Sequence, residues 1–410
     1  MNQSQIENYA DLILWCVDGV EEQSVHISCE AVHSELARKV AGRAYKAGAK
    51  LVVVEYEDPG VVAERIANAS DSALTAFPDY DTAKVAELAR DGWTRIRIAG
   101  QEDPEVLAPL DSGRIGTYMG AYRRLVDPIR RRVSLFEMPW VGVLMPTPAL
   151  ANRAFPDLSP ADALAHYEQS IVTILHLDEG PVAFWTEEFS RLIERQNRLN
   201  ALGLDRLRFS GPGTELEVGL HPDGHFMAAE ETLPCGKTVR VNMPSCEVFA
   251  TPDAARTNGR VTTTRPFQST SAPGQTVRGA WFEFADGEVV DFGADSGREI
   301  LERVLEMDAR ARYLGEVALV DVGSPVAQQG ITFGHMLYDE NAACHIALGS
   351  GFPRLIRGAE KLSTKELIER GINYSVVHDD MMIGSEQVDV TGITREGSEI
   401  VVIRQGRFVE

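Results

Sequence analysis

The stretch SVHISCEAVHSELARKVAGRAYKAGAKLVVVEY, residues 24–56, reads as strand, helix, strand. Ser24 to Cys29 and Lys50 to Tyr56 are short, β-branched and apolar. Between them, Ala31 to Ala47 places Val32, Leu36, Val40 and Ala44 on one helical face. A crossover of that kind joins parallel strands, so the unit predicts helices packed on a mainly parallel sheet. Thr94 to Ala99 and Trp140 to Met145 extend the strand series, Tyr80 to Asp91 repeats the helical pattern, and the amphipathic run Pro181 to Leu202 ends at Gly203. From about Arg206 the texture becomes alternating and glycine-punctuated, as in LRFSGPGTELEVGL and GAWFEFADGEVVDFG, where Asp286-Gly287 signals a hairpin. The expectation is an α/β N-terminal domain over residues 1–205 and an α+β C-terminal metal-binding domain over 206–410, the latter interrupted by helices from Gly297 to Leu314 and from Leu362 to Arg370.

The 410 residues suit two ordinary cores. Five scattered cysteines without a CxxC pair argue for a reducing compartment and read as small buried hydrophobes. The N-terminus lacks the basic start of a signal peptide, and its apolar stretch Leu12 to Val17 is too short to span a bilayer, so the expected location is the cytoplasm. A net charge of -21 opposes nucleic-acid backbones and anionic membrane surfaces and favours cations as partners.

Four segments of the second half offer metal ligands. NYSVVHDDMMI, residues 373–383, reads as a strand, which puts His378 and Asp380 on one face and Asp379 on the other. DENAACHIALG, residues 339–349, reads as a short helix capped by Asp339, stopped by Gly349 and carrying His345 among small residues. Glu247 in NMPSCEVFATP and Glu316 in LGEVALVDVG stand inside apolar strand patterns, where a carboxylate needs a cation or good hydrogen bonds. Singly, each fits a solvated or hydrogen-bonded structural group; together they point to a metal centre. A GxSxG elbow, a phosphate-binding loop and HExxH are all missing from the sequence.

These segments resemble, in order, the family of thermophilic-type metallo-aminopeptidases of the aminopeptidase T and aminopeptidase S kind. The resemblance runs through PWVGVLMPTPALANRAFPD at residues 139–157, NMPSCEVFATPD, MDARARYLGEVALVDVGSPV, LYDENAACHIALGSG, HDDMMIG and VDVTGITREGSEIVVIRQGRFV. It implies two divalent metal ions, zinc, cobalt or manganese, held by Glu247, Glu316, His345, His378 and Asp380, a short-peptide substrate and a homodimer. It also implies hydrolysis by a metal-activated water, with Glu316 the carboxylate nearest that water. One departure stands out: the family pattern has a tyrosine seven residues after His345, and this chain has Phe352, which cannot donate a hydrogen bond. Two other readings stay open. A hydrolase of a small non-peptide amide tolerates the missing hydroxyl. His345, His378 and Asp380 alone would suit one non-haem iron, as in a ring-cleaving dioxygenase resembling dihydroxypyridine dioxygenase.

Overall fold

The computed structural model describes residues 1–269 and 275–409. The chain separates into two compact units, one comprising Met1–Phe184 with Glu230–Met243, the other Trp185–Ala229 with Pro244–Glu410. The change of texture near residue 205 marks the second unit's first strand, Leu204–Gly211; most of the helix Pro181–Ala201 before it already belongs to that unit.

In the first unit, strands β1 (Ser24–Glu30), β2 (Leu51–Glu57), β3 (Thr94–Ala99) and β4 (Trp140–Leu144) form a parallel sheet in the order β4-β3-β1-β2, extended beyond β4 by Asn242–Met243. The crossover after β1 opens with a single 3-10 turn, Ala31–His33, before the helix Ser34–Lys46. Leu36, Val40 and Ala44 are therefore buried, whereas Val32, expected on the same face, lies in the 3-10 turn and is exposed. The helix Asp79–Asp91 matches the run expected from Tyr80 and stops at Gly92 in the left-handed region.

The second unit combines an eight-stranded antiparallel sheet with a five-stranded one. Trp281–Ala285 and Glu288–Gly293 form the expected hairpin, with Asp286 at φ 49° and Gly287 at φ 87° in its two-residue turn. The helix expected from Gly297 to Leu314 is shorter, Arg298–Leu305. Its end is fixed by Asp308, whose carboxylate accepts from the backbone N–H of Arg310 at 2.7 Å and of Val376 at 2.8 Å, a local turn that competes with further helix. The helix expected from Leu362 is Thr364–Glu369, with a capping box at Ser363. All five cysteines are free; four are buried as expected, but Cys235 is exposed, next to the turn at Gly236.

The smaller sheet contains β5 (Glu247–Ala250), β6 (Leu314–Val320), β7 (His345–Gly349) and β8 (His378–Met382), adjacent in that order and antiparallel throughout. His345 thus lies on a strand and not on the expected helix. The helical part of its segment ends early, with Met336–Asp339 followed by the 3-10 turn Glu340–Ala342, and Ala343 at φ -164°, ψ 161° turns the chain into extended backbone. Asp339 does not cap a helix through His345: its carboxylate accepts the backbone N–H groups of Phe333, Gly334 and His335 at 2.6, 2.9 and 3.1 Å. A strand buried on both faces, with neighbours on both edges, shows no alternation for sequence periodicity to detect.

A bulge in β6 sets the register of this sheet: Leu314 pairs with Leu348 and Glu316 with Ala347, leaving Gly315 as the extra residue. A Cβ on Gly315 would lie 2.3 Å from the carbonyl of Ser350 and 2.4 Å from that of Gly349, closer than any side chain tolerates. Gly315→Ala is expected to cost about 1–3 kcal/mol through overpacking and backbone displacement. Thermal melting would read this as a fall of several degrees; a wild-type melting temperature would contradict it.

Candidate metal centre

Antiparallel register aligns the candidate ligands on one face. Glu247 sits opposite Val320, Ala318 opposite His345, Glu316 opposite Ala347, Ala347 opposite Asp380 and Gly349 opposite His378. Paired residues project to the same side, so Glu247, Glu316, His345, His378 and Asp380 share one face. Val248, Val317, Leu319, Ile346, Leu348 and Met381 occupy the other and are buried. The residues between the candidate ligands are small: Ala318, Ala347 and Gly349 leave open the space that larger side chains would fill. Asp379, as the strand reading requires, turns to the opposite face, where its carboxylate accepts from the Ser269 hydroxyl.

The face resolves into two triads, Glu247, Glu316 and His345 in one and Glu316, His378 and Asp380 in the other, each with its ligand atoms within 4.8 Å of one another. Glu316 belongs to both. Its Oε1 is 3.9 Å from His345 Nε2 and its Oε2 is 3.4 Å from His378 Nε2. Glu247 Oε2 is 3.1 Å from His345 Nε2, yet neither it nor Asp380 Oδ1 has the alignment of a hydrogen bond to any partner, although both are buried. Buried carboxylate oxygens left without donors are costly unless a cation takes them. Both imidazoles are held from behind, His345 Nδ1 by the Ala343 carbonyl at 3.2 Å and His378 Nδ1 by the Ser350 carbonyl at 2.8 Å. That contact fixes the proton on Nδ1 and turns each Nε2 towards the carboxylates, the usual outer support of a metal-bound histidine. The residues therefore fit divalent metal ions.

A sixth group joins them. Glu340, in the 3-10 turn before β7, is buried, and its carboxyl is pushed well above the ordinary range by that burial and by the charges of Glu247 and Asp380. The expected helix does not single Glu340 out, because a glutamate next to its N-cap would ordinarily face water. The available signal was its position five residues before His345, followed by the small, apolar run Ala342-Ala343-Cys344.

Phe352 lies beside the centre. Its ring packs edge-on against His378 at 5.3 Å and against Phe249 at 5.4 Å, and its backbone N–H donates to the Thr251 hydroxyl at 2.9 Å. The His378 side chain is 34% exposed against 8% or less for Glu247, Glu316, His345 and Asp380, so the centre opens to solvent on the side that Phe352 borders.

Among known proteins, the family model of the thermophilic metalloproteases (M29) matches residues 2–408. Aminopeptidase T of Thermus aquaticus is 36% identical over 377 residues, covering 92% of this chain and 91% of that protein. The structure of wild-type AmpT from Thermus thermophilus superposes with a TM-score of 0.91 at 32% identity, covering 99% of both chains. A 2,5-dihydroxypyridine dioxygenase from Pseudomonas putida KT2440 covers 100% of this chain and 98% of its own with a TM-score of 0.50 and 11% identity, a likeness of fold alone. The fold and site thus define a metal-dependent hydrolase. The chain belongs to the thermophilic metalloprotease (M29) family, as its sequence resemblance implied.

The electrostatics of the metal-free centre give a pH signature. Burial opposes charge on His345 and His378, but Glu247, Asp380 and Glu316 around the first and Asp380 and Glu316 around the second prevail, raising both from 6.5 to about 10. Burial raises Glu316 from 4.5 to about 7, against the pull of His378 and with the help of Asp380 and Glu247. A raised folded pKa means that the native state keeps protons the unfolded chain releases. The histidine contribution is therefore complete below pH 6.5 and lost as pH climbs through about 10, and the Glu316 contribution is lost between 4.5 and about 7. Metal ions displace these protons, so the gap in melting temperature between metal-loaded and metal-free protein should widen from pH 6.5 to 10. Calorimetry at a series of pH values would check this, and a gap independent of pH would count against it.

Proposed function

We propose that the chain is an aminopeptidase that releases N-terminal residues from short peptides, with two divalent metal ions held in the C-terminal part, residues 206–410. The observation that carries this reading is the division of the ligands into two triads bridged by Glu316. Relatives named aminopeptidases along nearly the whole chain support the same activity. Zinc, cobalt and manganese are the candidate ions, since imidazole and carboxylate together suit all three. Bound there, they would supply Lewis acidity and a water acidified towards neutral pH.

The protein's own groups have separable roles. Glu316, the carboxylate shared by both triads, is the one assigned to the metal-activated water, on the family resemblance. Glu247, His345, His378 and Asp380 hold position, and Glu340 adds a further buried carboxylate to the set. Peptide approaches past His378, the most exposed of the five, with Phe352 forming the apolar lip. Since a phenyl ring offers no donor to a developing oxyanion, this chain must stabilise that charge by other means or act more slowly on peptides. A small amide that needs less oxyanion support is the second substrate class in keeping with Phe352. The separation of the two histidines into different triads favours the hydrolase over a single-iron dioxygenase. A homodimer remains part of the proposal, on the family resemblance.

The test uses aminoacyl amides and short peptides. Wild-type protein should release the N-terminal residue, lose activity to a chelator and regain it with zinc, cobalt or manganese. Phe352→Tyr adds one hydroxyl at the solvent-open edge of the centre and should raise kcat by up to about 10² to 10³, the range for one oxyanion donor, at unchanged metal content. Failure of both proteins, fully loaded with metal, to cleave any aminoacyl amide would refute the aminopeptidase reading.

A further inference from the structure

One face of the parallel sheet in the first unit is built largely from polar side chains. Register aligns His26 of β1 with Arg95 of β3, and Arg95 with Trp140 of β4. Three nitrogen-bearing side chains therefore form a row across adjacent strands, roughly 4.8 Å apart and directed to the same side. Two residues further along, Ser28, Arg97 and Gly142 align, and the Asn242 carboxamide oxygen borders the place of a Gly142 side chain at 3.3 Å.

In the first row, His26 Nδ1, Arg95 Nε and Trp140 Nε1 are each buried without a hydrogen-bond partner. An arginine Nε–H and an indole N–H can only donate, so Arg95 Nε and Trp140 Nε1 each lack an acceptor. The nearby carboxylates are already engaged. Glu55 binds His26 at 2.8 Å and Lys84 at 2.6 Å, and Glu57 binds Arg97 at 2.5 Å. Among the described residues no carboxylate pairs with Arg95, a guanidinium inside a chain whose net charge is -21. A partly buried, unpaired cation beside a buried unpaired donor is unfavourable as it stands and complementary to an anion. Tyr122, from the helix Ser112–Ser134, lies within the field of both Arg97 and Arg95. Arg97 and Tyr122 are 45% and 41% exposed, which gives the row an opening to solvent.

We propose that this row is a binding site for a small oxyanion, a carboxylate or a phosphate, seated on Arg95 Nε–H and Trp140 Nε1–H. His26, anchored at Nε2 by Glu55, borders the same row. Tyr122, 41% exposed and within the field of both the Arg95 and Arg97 guanidinium groups, borders the site. The site is separate from the metal centre in sequence and in structural unit. It holds whether or not the aminopeptidase reading does.

Titration calorimetry on metal-loaded protein, with inorganic phosphate in one arm and N-acetylglycine in the other, tests the proposal; the tighter probe identifies which oxyanion the site prefers. Arg95→Met should weaken that binding by at least about tenfold, the size of one lost charge-assisted contact, with metal content and peptide hydrolysis unchanged. Trp140→Phe keeps the packing of an aromatic ring while removing the N–H, and should weaken it in the same direction, so misfolding of the arginine variant would not blunt the test. The proposal is overturned if neither probe binds the wild type, or if both folded variants bind as the wild type does.

Discussion

Three carboxylates, Glu247, Glu316 and Asp380, converge with two histidines in the interior of the second unit, with buried Glu340 within their field, and the surrounding structure answers the resulting concentration of negative charge. Burying one such ion costs several kcal/mol unless it is compensated, and like charges placed together raise the cost further. In the absence of metal the compensation is protonic: His345 and His378 hold their charge to about pH 10, and Glu316 keeps its proton to about 7. Divalent cations do the same work without protonating the groups that chemistry needs. The other local features follow from that constraint, including the small residues between ligands, the carbonyls behind both imidazoles, and the bulge at Gly315 that brings Glu316 opposite Ala347.

Strands that carry one buried face or lie within a crossover unit were legible in the sequence, because β-branched runs and helical periodicity report them directly. Thr94–Ala99 and the Asp286-Gly287 hairpin are of this kind. The segment around His345 was not legible. Its small residues favour helix locally, while its actual conformation is imposed by β6 and β8 on its two edges, which no local pattern encodes. That error hid Glu340 as well. The same-side placement of His378 and Asp380 was readable, since a two-residue spacing on a strand has one geometric meaning.

Glu247 and Glu316 were singled out because charge inside an apolar strand needs an explanation, and both side chains do face the interior. The partition of the donors, with Glu316 between two triads and the histidines apart, was beyond the reach of the sequence. That partition is what supports the two-ion proposal over a single iron, while the dioxygenase at 11% identity is alike in fold alone. A fold accommodates different chemistries, and the arrangement of donors on it decides among them. Phe352 lies at the rim of the centre, its ring against His378 and Phe249, with every candidate ligand in place.

One sheet face carries two triads that share Glu316, and the proposal is that each would hold a metal ion. Anomalous diffraction from crystals of the protein grown with cobalt or zinc tests it most directly. The account predicts two peaks per chain, one bounded by Glu247, Glu316 and His345 and the other by Glu316, His378 and Asp380. A single peak bound by both His345 and His378, with Glu247 left outside its coordination, would contradict it.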